Sequence, residues 1–192
     1  MSTIVNDTIG GFNVFLKDQK SAPGTATLTL HQFDGAFETN YQEINIQDAK
    51  DLDQSSFVPR GSTALLDAIG QAMVSAGERL ARNPAEKVVF TIITDGEENS
   101  SHEYTREKIF EMIKHQTEKY NWQFVFLGAN QDAISVGTEL GVQANASMTY
   151  KANSRGVEAA FLATSRNLAK TRSGEKPGMS FELEDYQEQD EA

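Results

Sequence analysis

Acidic side chains cluster directly after one apolar run of the chain. Residues 87–94 read KVVFTIIT, a continuous β-branched and aromatic run that is typical of a parallel strand covered on both faces. The run is followed by five polar or glycine residues, Asp95, Gly96, Glu97, Glu98 and Asn99. Open α/β sheets bind ligands where their strands end, so this loop is a candidate binding or metal site.

Two kinds of chemistry suit such a cluster. Mg²⁺ takes oxygen ligands and keeps several waters, so a magnesium site needs neither histidine nor cysteine. The same carboxylates with His102 also suit metal-assisted hydrolysis of a phosphate ester. However, no phosphate-cradling glycine loop or nucleophile elbow accompanies them, and His31, His102 and His115 are not at ligand spacing. We therefore expect a binding protein and no enzyme, with a metal-dependent hydrolase as the weakest alternative.

Alternating strands and helices position this loop. A second apolar run, WQFVFL at 122–127, follows a predicted helix, and this spacing predicts a right-handed βαβ crossover. Asp34-Gly35 predicts a hairpin with a returning antiparallel edge strand. The other predicted elements are helices at 2–20, 131–140 and 154–170, a helix with an apolar stripe from Leu65 to Leu80, and strands at 25–33, 36–46 and 146–150. Ser100 and Glu103 predict a capping box for the third helix, whose stripe is Ile109, Ile113 and Tyr120.

Composition limits the class of protein. The 192 residues suffice for one α/β domain, predicted at 1–172, followed by an acidic tail at 173–192. The absence of cysteine excludes disulfides and thiolate metal sites. A net charge of −11 offers no basic face for nucleic acid, and no stretch approaches the about 20 apolar residues of a membrane span. We predict a cytoplasmic protein that contacts neither nucleic acid nor membrane.

The tail permits two interpretations. Residues 175–192 hold seven acids against Lys176 alone, which favours a solvated segment. Phe181, Leu183 and Tyr186 alternate with charged residues, which instead favours a short strand that adds to an exposed sheet edge.

Three segments together resemble a known family. They read RGSTALLDAIG at 60–70, VVFTIITDGEEN at 88–99 and WQFVFLGAN at 122–130. In these segments the chain resembles the von Willebrand factor A (VWA) domain, particularly its stand-alone bacterial and phage forms, over residues 1–150. The resemblance implies a doubly wound, Rossmann-like α/β fold with a mostly parallel sheet and an antiparallel edge strand. It also implies a metal-ion-dependent adhesion site at the C-terminal edge of the sheet, usually holding magnesium.

The resemblance implies particular metal ligands. The family uses an Asp-x-Ser-x-Ser motif after the first strand, a threonine before the second helix and an aspartate after the fourth strand. Thr63 and Asp95 match the last two, and Glu97 or Glu98 is a substitute ligand. The structural alternatives are an N-cap for Thr63 and an Asx turn for Asp95. Met1 matches the methionine after the first motif, so the central first strand and its motif are expected to be missing.

A missing central strand has an energetic consequence. It leaves two rows of backbone groups unpaired, at about 1 to 3 kcal/mol for each buried group. We expect the neighbouring strands to close up and pair, or another chain or the tail to donate a strand.

These expectations favour a protein-binding module with a degenerate adhesion site. Partner contacts are predicted at Ser62, Gly96, Glu97, Glu98 and Asn99, with weakly bound Mg²⁺ as a bridging ion. The alternative is a phage-encoded structural or assembly protein that accepts a strand from a second chain, as a homodimer or heteromer.

Overall fold

The computed structural model describes residues 4–192, in which helices and strands alternate as predicted. The elements are α1 Val5–Ser21, β1 Thr27–Phe33, β2 Phe37–Asn45, α2 Leu65–Arg82, β3 Val89–Thr94, α3 Arg106–Tyr120, β4 Gln123–Ala129, α4 Ala133–Glu139, β5 Ser147–Tyr150, α5 Ser154–Ser173 and α6 Leu183–Glu191. The α/β class is therefore confirmed. The predicted start of the first helix at Ser2, and the motif expected around Met1, lie outside the described residues.

The strands form two sheets. β1 and β2 make an antiparallel hairpin, as Asp34-Gly35 predicted, whereas β3, β4 and β5 make a parallel sheet in that order. No backbone hydrogen bond joins β1 to β3 anywhere in residues 4–192. The expectation that these two strands close up and pair is therefore wrong for the described chain.

Both sheets lie between the same two helical layers. On one face, α1 and α5 build a core with Phe12, Leu16 and Phe161, against which Leu30 of β1 and Ile93 of β3 pack. On the other face, α2 and α3 build a second core that is joined by side chains of both strands, including Phe33 and Ile92. Since residues of β1 and β3 alternate between these two cores, the two strands share one layer.

Several local predictions differ from the structure. The third helix begins after Thr105, whose hydroxyl accepts the Lys108 amide at 3.3 Å, so the capping box at Ser100 and Glu103 is wrong. Ile109 and Ile113 are buried as predicted, but Tyr120 is 54% exposed at the end of that helix.

The acidic C-terminal segment packs on the domain through a few buried side chains and forms no strand. Met179 and Phe181 are buried in the core beside α1 and α5, and α6 follows them. Asp185 is buried and accepts hydrogen bonds from Arg166 at 2.7 Å and Asn167 at 2.9 Å. Glu188 also pairs with Arg166, whereas the other acids of the segment are exposed, namely Glu175, Glu182, Glu184, Asp190 and Glu191. The strand interpretation is wrong because the segment ends in a helix, and the solvated interpretation holds only for these exposed acids. The domain boundary at 172 stays a prediction.

Within the described residues, no helix combines the length and the apolarity that a crossing of the bilayer requires.

Candidate binding site at the carboxyl ends of the strands

Three loops meet where β1 and β3 end. The backbone carbonyl of Asp34, after β1, accepts the amide of Ala64 at 2.9 Å. The Thr63 carbonyl accepts the amide of Asn99, after β3, at 3.1 Å, and the Asn99 side chain accepts the Thr63 amide at 2.8 Å. These backbone bonds hold the loops at 34–36, 60–64 and 95–101 together, and we call this surface the loop face.

Reciprocal carboxylate bonds fix the loop after β3 to helix α2. Glu98 accepts the Leu66 amide in the first turn of α2 at 3.0 Å, together with the amides of Ser100 and Ser101. Burial raises the pKa of Glu98, but the Ser101 and Leu66 hydrogen bonds outweigh it, so the pKa lies below its ordinary value. Glu98 is thus a charged structural anchor, and its two oxygens are already engaged within the chain.

Asp67 anchors the loop from the opposite direction. Its carboxylate accepts the amides of His102, Glu103 and Tyr104 at 2.8 to 2.9 Å. Burial raises the pKa of Asp67, but the hydrogen bonds from these three amides outweigh it, so the pKa lies below its ordinary value. Its position in the first turn of α2 by itself predicts only a surface acid that compensates the helix dipole. The structure shows that Asp67 also ties a neighbouring loop to α2.

An ion pair between Asp34 and Arg60 joins the loop after β1 to the 60–64 loop. Asp34 is 7% exposed, and its carboxylate accepts Arg60 Nε at 2.5 Å and the Ala36 amide at 2.8 Å. Arg60 also donates to Glu38 at 2.8 Å. Sequence analysis assigned Asp34 only to a hairpin turn. Its low exposure comes from a loop distant in sequence, which no local pattern signals.

The two predicted metal ligands lie on adjoining loops. A Cβ added to Gly96, the residue after Asp95, would lie 2.6 Å from Thr63 Oγ1. Thr63 is not the N-cap of α2, because Ala64 occupies that position and no side chain caps it. In residues 4–192, no three His, Cys, Asp or Glu side chains are grouped closely enough to hold a metal ion. Mg²⁺ at Thr63 and Asp95 therefore stays a prediction, and no chemistry is derived through it.

The predicted partner residues divide into two groups. Ser62, Glu97 and Asn99 are exposed, and Gly96 is half-buried against Thr63. The carboxylate of Glu98, in contrast, is engaged by the amides of Leu66, Ser100 and Ser101. The structure therefore brings all five together but leaves mainly Ser62, Glu97 and the exposed part of Asn99 for contact with another molecule.

Comparison of the chain with protein-family models, with curated proteins and with solved structures finds no match.

Proposed function

We propose that this chain is a VWA-like module that binds a protein partner through the loop face. The observation that carries the proposal is that exposed Ser62 and Glu97 flank half-buried Thr63 on loops held together by hydrogen bonds. A surface whose loops are fixed before binding loses less conformational entropy when a partner arrives. The two anchors Glu98 and Asp67 provide that rigidity.

The chemistry of the face favours a basic partner surface. Asp34 is paired with Arg60, and Glu98 accepts backbone amides, so Glu97 is the exposed carboxylate of the loop after β3. Complementary charge across an interface chiefly raises the association rate and the specificity. We expect a partner that presents lysine or arginine to Glu97, or that contributes a carboxylate to Mg²⁺ shared with Asp95.

Affinity capture with matched charge reversals tests this proposal. The wild-type chain, Glu97→Lys and Glu118→Lys are immobilised and exposed to extract from the native host. Glu118 is also an exposed glutamate, near the far end of α3, so its reversal reproduces the charge change away from the loop face. Glu97→Lys should reduce recovery of the specific partner about tenfold, equivalent to about 1.4 kcal/mol.

The outcome is decided by the comparison between the two variants. A protein retained by the wild type and by Glu118→Lys but lost with Glu97→Lys supports the loop face. Equal recovery on all three surfaces removes the loop face from the binding mechanism.

A further inference from the structure

A polar cavity lies between the hairpin of β1 and β2 and the loop at 53–60. Its volume is about 490 Å³, within the range of about 300 to 1,000 Å³ that is typical of small-molecule sites. Amide and hydroxyl side chains and one ion pair line it, and Val58 is its apolar member. Arg60 borders both this cavity and the loop face. We call the cavity the hairpin cleft, and its central residues are Gln32, Asn40, Ser56 and Arg60.

Hydrogen bonds fix two amide side chains in the hairpin cleft. Gln32 Nε2 donates to Asn40 Oδ1 at 2.7 Å and to the backbone carbonyl of Ser56 at 2.5 Å. Asn40 Nδ2 donates to the same carbonyl at 2.9 Å. Because a carbonyl oxygen only accepts, both amides have one possible orientation. The hairpin is thereby joined to the loop at 53–60, and the cleft is formed before any ligand arrives.

Three polar groups in the cleft are left for a ligand. Gln32 Oε1 accepts no hydrogen bond from the described residues. Glu38 accepts Arg60 Nη2 through Oε2 at 2.8 Å, and Arg60 Nε donates to Asp34, so Glu38 Oε1 and Arg60 Nη1 have no partner within the described chain. Gln32 and Glu38 are opposite each other in the hairpin register, so their side chains are neighbours on one face. The cleft therefore presents two neighbouring acceptors and one donor.

The chemistry of the cleft favours an uncharged ligand with several hydroxyl groups. Glu38 and Arg60 are its charged side chains, and they neutralise each other. A hydroxyl group both donates and accepts, so neighbouring hydroxyls suit two acceptors beside one donor, as well as the hydroxyls of Thr39 and Ser55. Val58 is 53% exposed and provides an apolar contact for the C–H groups of a ring. A sugar combines these features.

We propose that the hairpin cleft binds a neutral sugar. Two adjacent hydroxyl groups of the ring donate to Gln32 Oε1 and Glu38 Oε1, and a third oxygen accepts from Arg60 Nη1. Such hydrogen bonds replace bonds to water and contribute little net free energy each, so the dissociation constant is expected at about 1 to 10 mM. This site is distinct from the partner contacts at Ser62 and Glu97 and does not depend on them.

An NMR titration of the full chain, labelled with ¹⁵N, tests the cleft. The probes are glucose, galactose, mannose and N-acetylglucosamine, each up to about 50 mM, several times the expected dissociation constant. At least one sugar should shift the side-chain amide signals of Gln32 and Asn40 and the backbone amides of Ser55 and Ser56, and the shifts should saturate. Glycerol at the same concentration should leave these signals in place.

A matched pair of variants locates the contact. Glu38→Gln keeps the length of the side chain but replaces one carboxylate oxygen with an amide donor, and the fold should be retained because Glu38 is 55% exposed. Sugar binding should weaken about tenfold. Glu118→Gln makes the same change at an exposed position on α3, and its affinity should stay within about twofold of the wild type. Unchanged signals elsewhere in each spectrum show that the fold is intact.

Three results would overturn the proposal. One is that no signal of the cleft moves with any of the four sugars. Another is that glycerol moves the same signals equally, because the cleft would then be a solvent-filled space without selectivity. The third is that Glu38→Gln binds the sugar as tightly as the wild type, which would place the sugar elsewhere on the molecule.

Discussion

The two outer edges of the parallel sheet differ in how they are protected. At the β5 edge, the Phe181 amide bonds to Asn145 O at 2.7 Å and the Tyr186 hydroxyl bonds to Ser147 O at 3.1 Å. Phe181 is 5% exposed and stacks edge-on with Tyr186. At the β3 edge, the backbone groups that point away from β4 pair with no strand of the described chain. The C-terminal segment covers one edge, and no described strand pairs with the other.

The difference between the two edges shows that β3 lacks the features by which edge strands usually avoid aggregation. Natural edge strands are blunted by charge, proline, bulges or a covering segment. β2, the outer edge of the hairpin, is polar and irregular, with register shifts opposite Leu30. β3 has neither proline nor charge.

The largest expected effect concerns amide hydrogen exchange within β3. In the register of β3 with β4, the Ile92 amide bonds to β4 and the Thr91 amide points away from it, so Thr91 should exchange on the order of a thousandfold faster than its neighbour, by NMR at neutral pH. Similar protection of both amides would show that the β3 edge is paired in solution, and the contrast with β5 would disappear.

Truncation of the cover should expose the β5 edge. Phe181→Ala removes a buried aromatic side chain and should lower the free energy of unfolding by about 3 kcal/mol, measured by urea denaturation. Leu183→Ala is the matched control, because Leu183 is 72% exposed and its loss should change stability by less than about 0.5 kcal/mol. Equal effects of the two substitutions would mean that the segment does not cover β5 in solution.

A pair of glycines tests the helix that lies over the open edge. A Cβ at Gly11 would overlap the buried ring of Phe161, whereas one at Gly10 meets nothing within 4 Å. Gly11→Ala should therefore destabilise the fold by about 2 kcal/mol, and Gly10→Ala should stabilise it by up to about 1 kcal/mol through helix propensity. Thermal unfolding of the two variants gives the comparison. Stabilisation by both substitutions would place α1 away from α5.

Protonation of Asp185 should destabilise the C-terminal segment that covers the β5 edge. Burial raises the pKa of Asp185, but the hydrogen bond from Arg166 outweighs it and lowers the pKa below its ordinary value. Asp185 thus stabilises the fold above its ordinary pKa, and this contribution is lost as the pH falls through the lower folded-state pKa.

Asp185→Asn should consequently lower the free energy of unfolding by about 1 kcal/mol at pH 7, and by less at pH 3. Glu188→Gln, whose partner is also Arg166 but whose side chain is 46% exposed, is the control with a smaller effect. An equal loss for Asp185→Asn at both pH values would contradict a role for its charge.

The smallest expected effect is that of magnesium on the loop face, at the carboxyl end of the open edge. Weak binding should stabilise the chain by less than about 1 kcal/mol at millimolar Mg²⁺. Asp95→Ala should abolish the shift in melting temperature, whereas Asp132→Ala, at the start of α4, should retain it. An unchanged shift with Asp95→Ala would remove Asp95 from the metal site.

The predicted elements follow from local signals that the structure retains. Hydrophobic periodicity located α2, and the KVVFTIIT and WQFVFL runs located β3 and β4. The capping box failed because Ser100 and Ser101 bond to Glu98 instead of starting α3. The prediction that Tyr120 belongs to the apolar stripe of α3 is wrong, because the buried stripe ends before the last residue of that helix. In both cases a long-range or terminal effect overrode a short pattern.

Sequence alone determined the α/β class and the hairpin, because periodicity and turn residues are local properties. The meeting of Thr63 with the loop after β3 was implied only by the resemblance to the VWA domain. Only the tertiary structure decided that Glu98 and Asp67 are anchors, that the acidic tail covers β5, and that β1 and β3 stay apart. Those outcomes depend on which carboxylate finds an amide or arginine far along the chain, and no local pattern encodes that.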